Sequence, residues 1–224
     1  MTPRDAILSK IKQQIATDGD DATRRAAVKE RLSQTPRGVV PQRGQLSPKK
    51  RVDLFCERAE AVQTTVNRVS SYDEIVEAIG DYLRFRNLPQ EIHMGADDRL
   101  AAVDWSQAPS LTRTHGPSDG SQNVGLSHAV SGVAETGTLL LTSGPDNPTT
   151  INFLPENHIV VIHADDIEGD YETAFDNLRK TYGKGQMPRT VNMVTGPSRS
   201  GDIEQKILLG AHGPRSLHVI VVDG

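Results

Sequence analysis

Three short segments of this chain combine carboxylate, hydroxyl, glycine and basic residues at spacings suited to ligand chemistry. The first is Ala134-Glu135-Thr136-Gly137-Thr138. A carboxylate set between small residues inside an otherwise apolar strand segment is costly to bury unless it is paired or used. Two readings stay open. Either Glu135 is a reactive or ligand-facing carboxylate with Thr136, Gly137 and Thr138 beside it, or it is a structural acceptor bonded by Thr136 and nearby backbone. The second segment, Thr195-Gly196-Pro197-Ser198-Arg199-Ser200-Gly201-Asp202, follows a predicted strand and precedes a predicted helix. Backbone N–H groups at such a junction form an anion cradle. Thr195, Gly196, Ser198, Ser200 and Asp202 shape that cradle, and Arg199 offers a bidentate grip on a carboxylate or phosphate. The plainer alternative is a turn with a capped helix start. The third segment, Leu209–Arg215, carries Gly210 and Gly213 for a sharp turn, and it turns His212 and Arg215 either toward a pocket or into turn-stabilising roles.

Other chemistries find less material. His115, His128 and His158 are isolated in sequence, without His-x-x-x-His spacing or an adjacent carboxylate ligand pattern, so no metal site is expected. Cys56 is the one cysteine, which rules out an internal disulfide and a cysteine-ligated cluster on this chain. It falls on an apolar helical face with Val52, Phe55 and Ala59 and reads as an inert core thiol. Aromatic residues make up 4% of the chain, too few for a base-stacking nucleic-acid surface. No apolar run approaches the roughly 20 residues that span a bilayer. The first residues, MTPRDAILSKIKQQIA, interrupt their apolar positions with Arg4, Asp5, Lys10 and Lys12, unlike a secretory leader. The expected location is the cytoplasm.

The net charge of −4 is unevenly spread. Met1–Arg51 holds twelve basic against five acidic side chains, a net of +7, and the remainder is −11. A basic arm on an acidic body suits contact with an acidic surface such as a sister subunit, which leaves room for a homo-oligomer. It fits nucleic acid less well, because no reading motif accompanies the positive charges.

These segments need a scaffold to position them. Ile7, Leu8, Ile11 and Ile15 share a helical face within Arg4–Ala16, and Asp20 is placed to cap a second helix reaching Ser33. Gln34–Ser47, with Pro36, Gly38, Pro41 and Gly44, reads as a linker, so the chain divides into an arm, 1–47, and a body, 48–224. In the body, helices are predicted over Pro48–Val62, from the capping box Ser71–Glu74 onward, and over Asp170–Tyr182 and Asp202–Leu209. Strands are predicted over Thr64–Val69, Glu91–Met94, Leu111–Thr114, Gly132–Thr142, His158–His163, Thr190–Thr195 and Leu217–Val222. The last of these and His158–His163 are apolar on both faces, as central parallel strands between helical layers must be. The fold class is a three-layer α/β protein with a mostly parallel sheet and an N-terminal helical arm.

The runs GVAETGTLLLTSGPDNPTTINFLPENHIVVI and VTGPSRSGDIEQKILLGAHGPRSLHVIVVD carry a resemblance. Over about Val124–Val222 the chain is similar to the LUD-domain family, specifically its lactate-utilization protein C branch, and Ala6–Ile15 matches that family's opening helix. The resemblance implies a fold like that of ribose-5-phosphate isomerase, the CoA-transferases and formyltetrahydrofolate cyclo-ligase. It also implies one component of a three-part system oxidising L-lactate to pyruvate, with iron–sulfur clusters on the partner subunits and no cofactor on this chain. The implied role is accessory or organic-acid-binding. The alternative is a stand-alone CoA-transferase-like or cyclo-ligase-like enzyme, since Glu135-Thr136-Gly137 is reminiscent of the transferases' acyl-accepting glutamate.

Overall fold

The computed structural model describes residues 2–15, 21–183, 185–203 and 206–224. They form two units, Met1–Val39 and Val40–Gly224. In the first, α1 (Pro3–Ile15) and α2 (Asp21–Gln34) leave Ile7, Leu8, Ile11, Val28 and Leu32 exposed. Asp20, the expected cap of α2, lies outside the described residues.

The second unit is built on a six-stranded, wholly parallel sheet. Its strands are β1 (Thr65–Val69), β2 (Glu91–Met94), β3 (Thr112–His115), β4 (Val124–His128), β7 (Asn157–His163) and β12 (Ser216–Val222). They lie in the order β1-β12-β7-β4-β2-β3. Alternation along β7 and β12 sends Ile159, Val161, Ile220 and Val222 to one face. There they meet Ile75, Ile79 and Leu83 of α4 (Ile75–Phe85). The residues between them, Val160, Ile162, Val219 and Val221, meet Val52 and Phe55 of α3 (Pro48–Ala61) on the other face. The apolar runs read from the sequence are therefore two interleaved core faces.

A second sheet shares the α3 side. It comprises β5 (Ser131–Val133), β6 (Thr138–Thr142), β8 (Ile167–Glu168) and β9 (Val191–Val194), ordered β8-β5-β6-β9. The helix α6 (Tyr171–Tyr182), capped by Asp170 accepting from Thr173 N–H at 2.9 Å, packs Ala174 and Leu178 against it. The remaining short helix, α5, spans Asp98–Ala101.

Three elements correct the sequence reading. Gly132–Thr142, expected as one strand, is a tight hairpin turning at Ala134–Gly137. The strand β4 was not expected, because Gly125, Ser127 and His128 dilute its apolar character. Gly125 is nonetheless required, since a Cβ there would sit 2.7 Å from Ile151 O. The described residues of the segment expected as a helix over Asp202–Leu209 belong to an antiparallel pair of strands, β10 (Arg199–Ile203) and β11 (Lys206–Leu209), and Glu204 and Gln205 lie outside the described residues. The segment's helical propensity is overridden by backbone pairing of Arg199 with Leu209 and Ser200 with Leu208. Part of the expected linker also belongs to the body. Gly44 approaches Gly169 so closely that a Cβ on it would lie 2.0 Å from Gly169 O, and Gln45 Nε2 donates to Asp170 Oδ2 at 2.8 Å.

Candidate functional site

In a parallel sheet, a crevice opens beyond the carboxyl ends of neighbouring strands whose outgoing connections run in opposite directions. Here those strands are β2 and β4. From β2 the chain runs outward to the edge strand β3, and from β4 it leaves through the second sheet toward β7. Asp97 and Arg99 follow β2, and His128 and Ala129 close β4. The exits of β1 and β7 add Tyr72, His163 and Asp166. A turn holds Tyr72 there: Glu74 reaches back to accept the Ser70 N–H at 2.9 Å, while the Ser71 side chain makes no cap bond. The expected capping box is thus not formed, since Glu74 accepts from Ser70 and not from Ser71, and the resulting turn places Tyr72.

Asp97 organises the basic side of this edge. Its Oδ1 accepts Arg99 Nε at 2.9 Å, and its Oδ2 accepts Arg99 Nη2 at 2.8 Å and Asn147 Nδ2 at 3.2 Å. Burial would raise the Asp97 carboxyl, but the Arg99 hydrogen bonds and charge, with Asn147, outweigh it and hold it at about 2. Arg99 Nη1 reaches Ala129 O at 3.4 Å, so the guanidinium keeps further N–H donors on its outer end. The Arg99 side chain is 37% exposed. A cleft of about 330 Å³ opens over it, lined by Tyr72, Asp73, Arg99, Ala102 and Val103.

His128 lies behind Tyr72. Its Nδ1 contacts Ala129 O at 2.7 Å and its Nε2 the Tyr72 hydroxyl at 2.8 Å. Burial, reinforced by the Arg99 charge, pushes the imidazole down to about 4. Burial also raises the Tyr72 phenol and the Asp166 carboxyl above their ordinary values. The Tyr72 ring lies nearly parallel to those of His128 and His163, with centroids at 6.0 and 6.2 Å. Beneath this layer, Ser127 Oγ donates to Asn152 Oδ1 at 2.9 Å and meets His158 Nε2 at 3.0 Å. Burial alone pushes His158 down to about 3.

Glu135 occupies the β5–β6 turn. Gly137 has φ +68°, and a Cβ there would lie 2.4 Å from Ala59 N, so the turn is pressed onto α3. The Glu135 side chain is 4% exposed, with Arg43 Nη2 at 3.2 Å from Oε2. That oxygen has no partner in hydrogen-bond geometry, so the pairing is one of charge proximity. The expected bond from Thr136 is not made. Its hydroxyl instead lies 2.7 Å from Thr138 and 3.0 Å from Tyr171. Thr138 continues the chain to Tyr171 at 2.8 Å and to Thr195 at 2.6 Å. Arg43 and Tyr171 were invisible from sequence, since each meets Glu135 or its neighbours only through tertiary packing.

The other expected loops lie at the opposite, amino edge of the sheet. Arg199 Nη2 donates to Val62 O, the carbonyl just past α3. Ser198 N–H donates to Pro214 O at 2.8 Å, its carbonyl accepts from Gly210 N–H at 3.0 Å, and its hydroxyl accepts from His212 N–H at 3.2 Å. Arg215 N–H donates to Glu156 O at 2.7 Å, immediately before β7. Gly196 is at φ +77°, and a Cβ there would lie 2.7 Å from Val62 O. Ser200 is buried in the hairpin, and the side chain of Asp202 lies outside the described residues. Because a hairpin and not a helix follows, the expected anion cradle lacks its helix N-terminus. The structure joins Thr195 to the Thr136–Thr138 group, Ser198 to the Gly210–Pro214 loop, and Gly196 and Arg199 to Val62 at the end of α3.

Fold and site together describe a parallel α/β protein with a cleft beside Arg99 and Tyr72 at the carboxyl edge of its sheet. Residues 52–222 match the LUD domain, and the chain belongs to that family. It is similar to the protein named Lactate utilization protein C of Geobacillus sp. (strain WCH70), 35% identical over 103 residues, which is 45% of this chain and 43% of the relative. The protein of the same name from Bacillus subtilis (strain 168) is 33% identical over 103 residues, with the same coverage of 45% and 43%. An uncharacterized protein of Neisseria meningitidis is 34% identical over 100 residues, 45% of this chain and 42% of its own. The matched stretch thus spans less than half the length of these relatives. A crystal structure of a DUF162 family protein from Deinococcus radiodurans shares the fold, with TM-score 0.60 and 20% identity over 79% of this chain and 99% of its own. Among the described residues, no helix is long and apolar enough to cross a membrane.

Proposed function

We propose that this chain serves lactate utilization by binding a small organic acid at the carboxyl edge of its parallel sheet, within a system whose iron–sulfur partners carry the electrons. The observation that supports it is Arg99, held by Asp97 beside the cleft with N–H donors still directed outward. A guanidinium so fixed suits a carboxylate, and its own carboxylate partner keeps it in place when the ligand leaves. The relatives named Lactate utilization protein C supply the physiological context. With one cysteine in the sequence, a cysteine-ligated cluster belongs on a partner. Cys56 itself is pushed up to about 11, chiefly by burial, and is a poor thiolate. Titrating the full chain with small carboxylates tests the reading. Arg99→Lys keeps the charge beside buried Asp97 but loses the fork, and is expected to weaken binding about tenfold or more with the fold retained. Absence of binding by any small organic acid to the native chain would overturn it.

A second reading, acyl transfer through Glu135, draws on the buried Oε2 that no donor satisfies. It requires the Arg43 side chain to move from a carboxylate only 4% exposed. Mass spectrometry after incubation with acyl-CoA thioesters distinguishes it, by an adduct on Glu135.

A further inference from the structure

Tyr72 and His128 give the carboxyl-edge cleft a hydrogen-bonding sense. A backbone carbonyl can only accept, so the 2.7 Å contact of His128 Nδ1 with Ala129 O places the ring proton on Nδ1. Nε2 of the neutral ring is then a lone pair, and the Tyr72 hydroxyl, 2.8 Å away, donates to it. Burial keeps this imidazole neutral at ordinary pH, with its pKa about 4. The phenol proton is therefore committed inward, and among the described residues no other donor meets the Tyr72 oxygen. Tyr72 lines the cleft, and the capacity its oxygen keeps for a ligand there is that of an acceptor.

We infer that the cleft separates the two oxidation states of a 2-oxygenated carboxylic acid, binding the 2-hydroxy acid in preference to the 2-oxo acid through the oriented oxygen of Tyr72. The inference rests on the organic-acid reading above. The carboxylate meets Arg99, and the 2-hydroxyl donates to Tyr72 Oη. A 2-oxo group would set carbonyl lone pairs against phenol lone pairs, with no proton between them. Turning the phenol O–H outward to meet it would strand the buried Nε2 of His128 without a donor. Sites built to pair one polar group discriminate against an analogue that cannot complete the pair. His128 is a positioning residue here: it acts by holding the Tyr72 proton.

The test is calorimetric titration of the full chain at pH 7 with L-lactate, pyruvate and propionate. L-Lactate is expected to bind about tenfold more tightly than pyruvate, with propionate between them. Tyr72→Phe is expected to bring the lactate-to-pyruvate ratio close to one. Arg99→Lys is expected to weaken all three acids while keeping the ratio. Equal or tighter binding of pyruvate by the native chain, or a ratio that survives Tyr72→Phe, overturns the inference and leaves the organic-acid reading standing. No binding of any of the three overturns both. The native-chain series stands by itself should Tyr72→Phe fail to fold.

Discussion

The two ends of one parallel sheet use similar residue types to opposite effect. At the amino edge, the Ser198 hydroxyl and the Arg199 guanidinium bond to backbone groups of neighbouring loops, and His212 and Arg215 join through their backbone N–H groups, so this polar capacity closes the base of the domain. At the carboxyl edge, Asp97, Arg99, Tyr72 and His128 bond mainly to one another, and Arg99 and Tyr72 line a cleft. The difference lies in strand direction. Loops that enter strands must hold each other for the next strand to start in register, whereas loops that leave at a switch point diverge and open space. A glycine-rich turn with an arginine is therefore no site until its place on the sheet is known.

The largest expected effect comes from acid, because buried imidazoles lie toward both edges. His128 faces Tyr72, Arg99, Asp97 and His163; His218 faces Thr65, Tyr82 and Arg86; His158 faces Ser127. Their folded-state values are depressed to about 4, 4 and 3, chiefly by burial. Below the ordinary histidine value of about 6.5 the unfolded chain takes up protons that the folded chain refuses. Stability is then expected to be full above that pH and to fall as pH drops toward 4, by up to about 3 kcal/mol per ring. Denaturant titrations from pH 7.5 to 4 check this. A flat profile would mean that the buried rings take up protons in place, and the comparison of edges would lose its electrostatic half.

Next in size is Gly196→Val at the amino edge. The residue has φ +77°, and a Cβ would lie 2.7 Å from Val62 O. Strain and clash together are expected to cost about 2–4 kcal/mol. Binding of small carboxylates by the folded fraction should stay unchanged, and loss of binding in step with stability would break the separation of the two edges. The smallest effect is expected of Arg199→Ala. On the sequence reading it removes an anion-gripping side chain. In the structure it removes an exposed hydrogen bond to Val62 O, worth about 1 kcal/mol or less. A small fall in melting temperature with unaltered carboxylate binding would sharpen the comparison, and weakened binding at constant stability would reverse it.

Much of the scaffold was legible from local pattern. The paired apolar runs at His158–His163 and Leu217–Val222 demand cover on both faces, and they are adjacent central strands. Pro48 after Ser47 marks the start of α3, and Asp170 caps α6. The candidate site was much less legible. His128 sits in an unpromising strand, and Tyr72 reads as part of a capping box. Asp97 and Arg99 lie in a stretch with no glycine-rich signature. Three segments far apart in sequence supply them, and only the strand order brings them together.

Glu135 divides the matter most clearly. Its neighbours in sequence determined that a carboxylate would sit in a short turn of small residues, where it is costly to bury alone. Tertiary structure decided its partner, Arg43, ninety-two positions earlier in a segment read as linker and seated by the Gly44–Gly169 contact. The chain's own residues likewise determined that strands would be apolar and parallel. Which loops would be left with unshared donors was decided by the order β1-β12-β7-β4-β2-β3. Periodicity is a property of neighbours along the chain, whereas a crevice exists only between segments that the chain reaches at different times.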